Sequence, residues 1–142
     1  MTQQYIGTKQ VEAWEDHKDH LQGYGVKYSD GYISWSPKDV FEKAYLPMGV
    51  GNDGSKITED MVDNFIAKTS VLSLGKKTTV VIATLANGFE MIESSSCADP
   101  ANYDEALGAQ LAKERIKRRV WDLLGFLLQT ARYGLKGRLI DG

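Results

Sequence analysis

The sequence predicts an α+β fold, and three observations support this class. The dipeptides Asp30-Gly31 and Asn87-Gly88 each stand between residues that favour strands, a pattern typical of β-hairpins. Apolar residues recur at helical spacing from about residue 102 to residue 134, which predicts one long helix. With 142 residues, 42% of them hydrophobic, the chain is long enough for one ordinary domain or two very small ones.

A glycine-rich segment divides the chain into two predicted modules. Residues 48–56 contain three glycines and an Asn-Asp pair and offer little to a core, so they predict a linker between residues 1–47 and residues 57–142. Charge supports this division, because residues 1–63 carry 11 acidic and 6 basic side chains, whereas residues 64–142 carry 8 and 11. We therefore expect the two modules to have surfaces of different charge.

The first module is predicted to begin with β structure. Residues 5–14 favour a strand, and residues 24–28 and 32–35 favour a hairpin closed by Ser29-Asp30-Gly31. Because side chains alternate along a strand, Tyr24, Val26 and Tyr28 are expected to share one face.

A short helix is predicted to follow the hairpin. Ser36 is expected to cap it, Pro37 to occupy its first turn, and the helix to end before Pro47. Its apolar face, expected to lie on the hairpin, comprises Val40, Phe41, Ala44 and Tyr45.

The polar run of residues 15–20 joins the first strand to the hairpin in this prediction. It contains His17 and His20, but their spacing matches no established metal site and no third ligand is indicated. A solvated connection is therefore favoured over metal binding.

The second module is predicted to be a helix, a hairpin and a long helix. A helix over residues 58–73 would start at Thr58 as its cap and end at Gly75, and the hairpin would pair residues 78–86 with 89–93. Asn102 and Glu105 stand at capping-box spacing before the long helix. Apolar residues occupy more than one side of that helix, so we expect it to need a second copy of the chain as a partner, in a homo-oligomer.

The sequence contains no motif that predicts catalysis. Glycine-rich nucleotide-binding loops and the G-x-S-x-G pattern do not occur, and Cys97 has no histidine near it in sequence, so an enzyme, a cofactor or a bound metal is not predicted. No run of about 18 apolar residues predicts a membrane span. The N-terminal residues do not resemble a secretory signal, so we expect the protein to act in a cytoplasm.

Two groups of residues are candidates for ligand binding. Aromatic residues crowd the first module, and we expect Tyr24, Tyr28 and Trp35 to stack on a planar ligand while Lys27 meets phosphate. The predicted long helix carries Arg115, Arg118 and Arg119, which can hold phosphate oxygens. The alternatives are that the rings replace an aliphatic core and that the arginines form a solvated helix surface.

Several blocks of the second half resemble a family of small tailed-phage accessory proteins, often labelled gp forty-nine/gene sixty-six. The blocks are Lys56-Ile57-Thr58, Lys76-Lys77-Thr78-Thr79-Val80, Ala86-Asn87-Gly88-Phe89-Glu90, residues 97–104 (CADPANYD) and residues 121–128 (WDLLGFLL). The first module, which ends in residues 34–45 (SWSPKDVFEKAY), is distantly similar to anti-Thoeris sponge proteins of the Tad-two type. The resemblance implies a non-structural phage product that acts in the cytoplasm of an infected host cell.

The leading functional hypothesis is a non-enzymatic counter-defence protein. It would sequester a nucleotide-derived immune signal, of the cyclic nucleotide or cyclic ADP-ribose type, in a homo-oligomer. The alternative is an inhibitor or adaptor that binds a host protein. A third hypothesis is binding to nucleic acid. The net charge of −2 disfavours binding to double-stranded DNA.

Overall fold

A computed structural model provides the structure of the chain and describes residues 1–136, so the last six residues of the predicted second module lie outside it. The described residues form an α+β fold, as the sequence predicted. Its elements are β1 (Glu12–Lys18), β2 (Leu21–Lys27), β3 (Ile33–Pro37), α1 (Lys38–Ala44), α2 (Glu59–Phe65), β4 (Ile66–Leu74), β5 (Thr78–Leu85), β6 (Glu90–Ser96), a 3₁₀ helix (Pro100–Asn102) and α3 (Glu105–Tyr133). Residues 1–51, with the segment from Phe126 on, form one compact unit, and residues 52–125 form another.

The first unit contains an antiparallel sheet in the order β1-β2-β3. The predicted hairpin around Asp30-Gly31 is confirmed, since Lys27 pairs with Ile33 and the Tyr28 N–H donates to the Tyr32 carbonyl at 2.9 Å. The predicted first strand is largely wrong, because pairing begins only at Glu12.

An additional hairpin joins β1 to β2 where the sequence predicted a solvated connection. Residues 15–18 belong to β1, and Asp19 and His20 form the turn, both with positive φ (50° and 68°). This is the left-handed backbone that two-residue hairpin turns require and that Asn-Gly usually marks. Neither Asp19 nor His20 is glycine, so the usual signal for the turn was absent.

Helix α1 packs on one face of this sheet through aromatic rings. The Tyr24 and Phe41 ring centroids lie 4.3 Å apart, those of Phe41 and Tyr45 lie 4.7 Å apart, and Val26 is buried. Part of the predicted apolar helix face is wrong, because Val40 remains 61% exposed.

The predicted cap of α1 is also wrong. Ser36 belongs to β3, opposite Tyr24, and Pro37 occupies the N-cap position without a side-chain hydrogen bond. Pairing with β2 continues through Pro37, so the strand takes the residues that the capping pattern assigned to the helix.

The second unit contains an antiparallel sheet in the order β4-β5-β6. The Asn87-Gly88 hairpin is confirmed between β5 and β6. The predicted helix over residues 58–73 is wrong in its second half: Thr58 does cap α2, with the Met61 N–H donating to its Oγ1 at 3.3 Å, but residues 66–74 form strand β4 along β5.

Helix α3 confirms the predicted long helix and lies on one face of the second sheet. Its buried residues, at spacings of mostly four, are Gly108, Ala109, Ala112, Ile116, Val120 and Leu124. The predicted cap Asn102 lies in the 3₁₀ helix instead; the Leu107 N–H donates to Asp104 Oδ1 at 3.2 Å, so Asp104 caps the helix. Between residues 1 and 136, no helix is long and apolar enough to cross a membrane.

Candidate binding face

Two tryptophan rings lie over two glycines at the centre of the first sheet. Gly25 on β2 pairs with Trp14 on β1 and with Trp35 on β3, so all three residues share the sheet face opposite α1. A Cβ atom on Gly25 would lie 2.2 Å from Cε2 of Trp14, and one on Gly23 would lie 2.5 Å from Cζ2 of Trp35. The Trp14 indole therefore occupies the space that a side chain at position 25 would fill. At position 23 the Trp35 indole and the backbone carbonyl of Ser36 together occupy that space.

We call this surface the tryptophan face. By strand register, it consists of Glu12, Trp14, Asp16, Lys18, Leu21, Gly23, Gly25, Lys27, Ile33, Trp35 and Pro37.

The tryptophan face is open to solvent. Trp14 is 44% exposed, and the apolar side chains of Leu21 and Ile33 are 63% and 57% exposed. The Lys18 ammonium lies 5.8 Å from the centre of the Trp35 ring, within the range of a cation–π contact. One side of the Trp14 ring faces Gly25, so the exposed remainder offers a surface on which a planar group can stack.

Charge on the tryptophan face is balanced. Its two lysines, Lys18 and Lys27, are matched by the carboxylates of Glu12 and Asp16. We therefore expect this face to bind a ligand mainly by stacking and apolar contact, with the lysines orienting any phosphate group.

The predicted stacking residues do not come together on one face. Trp35 and Lys27 belong to the tryptophan face, whereas Tyr24 lies on the opposite face, where its ring stacks on Phe41 and its hydroxyl donates to Glu42 Oε2 at 2.7 Å. This hydrogen bond to Glu42 is the main reason that the pKa of Tyr24 is raised, with desolvation adding to it.

Tyr28 also makes contacts within the unit. Its ring stacks on that of Tyr32 at 5.9 Å between centroids, and the Lys9 ammonium lies 5.3 Å from its centre. Tyr28 also interacts with Tyr45, whose pKa is raised first by burial and then by Tyr28. The sequence analysis did not predict Trp14 as a stacking residue. In the structure Trp14, and neither of the two tyrosines, shares a face with Trp35.

The three predicted arginines lie on α3 in the other unit, and two of them bind the edge strand β6. Arg115 donates to the Ser94 carbonyl, and Arg119 Nη1 donates to the Ile92 carbonyl at 3.2 Å and to the Glu93 carboxylate at 2.9 Å. Arg118 is exposed and has no hydrogen-bond or ion-pair partner within residues 1–136. Phosphate binding by these arginines stays a prediction.

Two shallow depressions lie along α3. Their volumes are 480 and 340 Å³, and both are lined by Lys113 and Lys117. Lys117 is already paired with Glu59 at 2.8 Å and Asp63 at 3.0 Å, and these hydrogen bonds raise its pKa. Neither depression contains an aromatic ring, so neither matches the predicted stacking site.

The two histidines and the cysteine occur in different units of the fold. His17 belongs to β1, His20 to the turn after it, and the Cys97 thiol donates to the Asp99 carbonyl at 3.2 Å. Across the described part of the chain, no three His, Cys, Asp or Glu side chains are grouped closely enough to hold a metal ion.

Comparison with known proteins identifies a phage protein family. The sequence model of the phage protein (N4 Gp49/phage Sf6 gene 66) family matches residues 57–132, which is more than half of the chain. No curated protein and no solved structure matches the chain. The similarity of the first module to the Tad-two sponge proteins has no support from these comparisons.

Proposed function

We propose a binding function for this chain, which belongs to the phage protein (N4 Gp49/phage Sf6 gene 66) family. In this proposal the protein captures a nucleotide-type ligand by stacking its base on the tryptophan face, and it catalyses no reaction. The observation that carries the proposal is the Trp14 ring, which is held over Gly25 and yet remains 44% exposed.

The geometry suits a base because stacking needs only a flat, supported ring. Base–aromatic stacking contributes about 1–3 kcal/mol per base and tolerates any base, since every base has a π-face. Because Gly25 and Gly23 have no side chains, the two indoles lie directly on the sheet. Little ring motion therefore has to be lost when a ligand binds. The two glycines are two residues apart on β2, about 6.6 Å along the strand, which places a second ring beside the first.

Lys18 and Lys27 supply the positive charge for a phosphate group. Lys18, the last residue of β1, lies at one end of the face, where it pairs with Leu21, and Lys27 lies at the other end, two residues beyond Gly25 on β2. A nucleotide stacked on Trp14 would therefore have one lysine toward each end of the strand pair. Neutralisation by Glu12 and Asp16 keeps the face from attracting anions indiscriminately.

Membership of a phage family supports a role in the infected cell. We propose that the protein acts in the host cytoplasm by sequestering a nucleotide-derived immune signal of the cyclic nucleotide or cyclic ADP-ribose type. Sequestration requires binding but no chemistry, which is consistent with the placement of the described histidines and Cys97 far apart along the chain.

The experiment is a fluorescence titration of the full chain with cyclic dinucleotides and cyclic ADP-ribose isomers, one at a time. A base stacked on an exposed indole is expected to quench tryptophan emission in a saturable way. The same ligand should raise the melting temperature, by an amount corresponding to about 2.7 kcal/mol at a hundredfold excess over Kd.

Two variants assign the signal to the tryptophan face. Trp14→Ala should abolish both the quenching and the thermal shift, whereas Trp121→Phe, which removes a half-buried indole on α3, should retain both. Absence of quenching and of a thermal shift with every compound of these classes would refute the proposal.

A second candidate function is inhibition or adaptation of a host protein. Leu21 and Ile33 flank the indoles and are more than half exposed, so the face is broader and more apolar than one base requires. Affinity capture from host lysate separates the two functions. A stoichiometric bacterial protein that is retained by wild type and lost with Trp14→Ala favours the adaptor.

A further inference from the structure

The second sheet has one face that α3 does not cover. Alternation along β5 places Thr79, Val81 and Ala83, all fully buried, on the face under α3. The opposite face carries aliphatic side chains from all three strands. We call it the aliphatic face, and it comprises Leu72, Leu74, Val80, Ile82 and Ile92.

This face is exposed at its two outer strands. Leu72 and Leu74 on β4 are 38% and 55% exposed, and Ile92 on β6 is 60% exposed. On the central strand, which has neighbours on both sides, Val80 is buried at 9% exposure and Ile82 is half-buried, so the outer strands contribute most of the exposed apolar surface. Leu72 pairs directly with Val80, and Ile82 with Ile92, so the apolar surface is continuous across the sheet.

Two opposite charges stand at one end of the aliphatic face. Lys68 on β4 and Glu90 on β6 both pair with Thr84 on the central strand, so the three residues form one row across the sheet. Both charged side chains are exposed. All other strand residues on this face are aliphatic, serine or threonine.

We propose that a second copy of this chain covers the aliphatic face. The two-fold axis of this dimer lies midway between the two sheets and runs parallel to β5. Rotation about this axis places β4 of one copy over β6 of the other and keeps the charged rows at the same end. Lys68 then faces Glu90 of the partner subunit, and this contact occurs twice in the dimer. Val80 and Ile82, on the axis, meet their own counterparts, as in an isologous interface.

The charges select this arrangement over the other face-to-face dimer. A two-fold axis across the strands would place β4 over β4 and the charged row against the opposite end, near Leu74 and Thr78, where neither charge has a partner. In the aligned class of sheet packing, the strands of the two sheets run within about 30° of each other. Stacked sheets are about 10 Å apart, a distance that a lysine and a glutamate can span together.

The test is sedimentation equilibrium of the full chain and of three charge variants. Wild type should show a monomer–dimer equilibrium. Lys68→Glu and Glu90→Lys each place like charges opposite one another twice, so each should raise the dimer Kd roughly tenfold or more. The double swap, Lys68→Glu with Glu90→Lys, restores opposite charges and should return the Kd to within a few-fold of wild type.

Lys113→Glu is the matched control. It makes the same change in charge on an exposed residue of α3, on the other side of the sheet, and should leave the Kd unchanged. We expect the variants to fold, because the substituted residues are exposed, and circular dichroism verifies this. The proposal is overturned if wild type is monomeric at about 100 μM, if the single swaps bind as tightly as wild type, or if the double swap remains as weak as the singles.

Discussion

Gly25 and Trp14 depend on each other at the level of single atoms. A methyl group on Gly25 would lie 2.2 Å from Cε2 of Trp14, far inside van der Waals contact, and the ring is held by the sheet beneath it. The residue at position 25 therefore sets where the indole can lie.

We predict that Gly25→Ala destabilises the protein by about 1–3 kcal/mol, the usual cost of overpacking. Urea denaturation measures the change. Gly7→Ala is the control, because Gly7 has nothing within 4 Å of its Cβ position, and this change should stay within about 0.5 kcal/mol. Equal midpoints for Gly25→Ala and wild type would show that the indole is free to move away.

The identity of the stacking residues could be predicted only in part. Alternation correctly placed Tyr24 and Val26 on one face of β2, because strand geometry requires it. Alternation does not specify which face a helix covers, and α1 covers the face with Tyr24. Trp14 was missed because its strand was predicted to end at residue 14, whereas β1 continues to Lys18 and pairs Trp14 with Gly25.

At the scale of elements, two glycines in α3 have opposite environments. A Cβ on Gly108 would lie 2.4 Å from Thr79 Oγ1 and 2.8 Å from Thr79 Cβ, whereas a Cβ on Gly125 would meet nothing within 4 Å. Thr79 is fully buried and shares a 2.7 Å hydrogen bond with the Tyr103 hydroxyl, so it has little room to yield.

We predict opposite effects for the same substitution at these two sites. Gly125→Ala should stabilise the protein by about 0.5–1 kcal/mol, since alanine favours a helix. Gly108→Ala should destabilise it by about 1–2 kcal/mol, because the overpacking at Thr79 exceeds the gain in propensity. Thermal denaturation of both variants measures the difference, and stabilisation by Gly108→Ala would contradict the close packing of α3 on β5.

Strand β6 forms an edge of the second sheet, and two arginines of α3 donate hydrogen bonds to its outer carbonyl groups. Arg115 and Arg119 are one helical turn apart, and they donate to the carbonyls of Ser94 and Ile92, which are two residues apart on the strand. Free strand edges invite pairing with other chains, so occupied carbonyls protect β6.

We predict that Arg115→Ala lowers stability by about 0.5–1.5 kcal/mol, the net contribution of one hydrogen bond, and speeds amide exchange in β6. Arg118→Ala is the control, because Arg118 is exposed and has no partner within the described residues, and it should change neither quantity. Hydrogen exchange read by mass spectrometry is the measurement. Equal exchange in the two variants would rule out edge protection by Arg115.

The elements themselves were predictable where local signals agree with pairing. Asp30-Gly31 and Asn87-Gly88 marked real turns, and the apolar repeat marked α3. Residues 66–73 were mistaken for helix because Ile66, Thr69 and Leu72 are also spaced as in a helix. Their partner, β5, begins at Thr78, so β4 and β5 form a hairpin across residues 75–77. Gly75, which the prediction took as the end of the helix, has a φ of 68° and lies in the turn of that hairpin.

At the scale of the whole molecule, the resolved pKa shifts have one sign. The pKa values of Tyr24 and Lys117 are raised from 10.0 and 10.5 by hydrogen bonds to carboxylates, and that of Tyr45 is raised mainly by burial. In each case the folded state holds the proton more tightly than the unfolded chain does. The resulting stabilisation of the folded state is therefore present when the pH is below the ordinary pKa. It is lost as the pH rises through the raised pKa of the folded state.

We predict that the melting temperature falls as the pH rises above about 10. Calorimetric scans across the alkaline range measure the decline. Tyr24→Phe removes the hydroxyl that donates to Glu42 and should make the decline shallower than in wild type. An identical decline in both proteins would show that this hydrogen bond does not persist in solution.

The paired indoles and glycines also bear on how this chain can diverge. A descendant that loses the ring at position 14 would have uncovered backbone at position 25, and a larger residue there could then fill the gap. Conversely, a chain that keeps Trp14 has no freedom at Gly25. Gly23 is restricted both by the Trp35 ring and by the backbone carbonyl of Ser36, and no exchange at position 35 removes that carbonyl. Among descendants of this protein, mutations at positions 14 and 25 should accumulate as one coupled exchange rather than as two independent ones, while position 23 stays glycine.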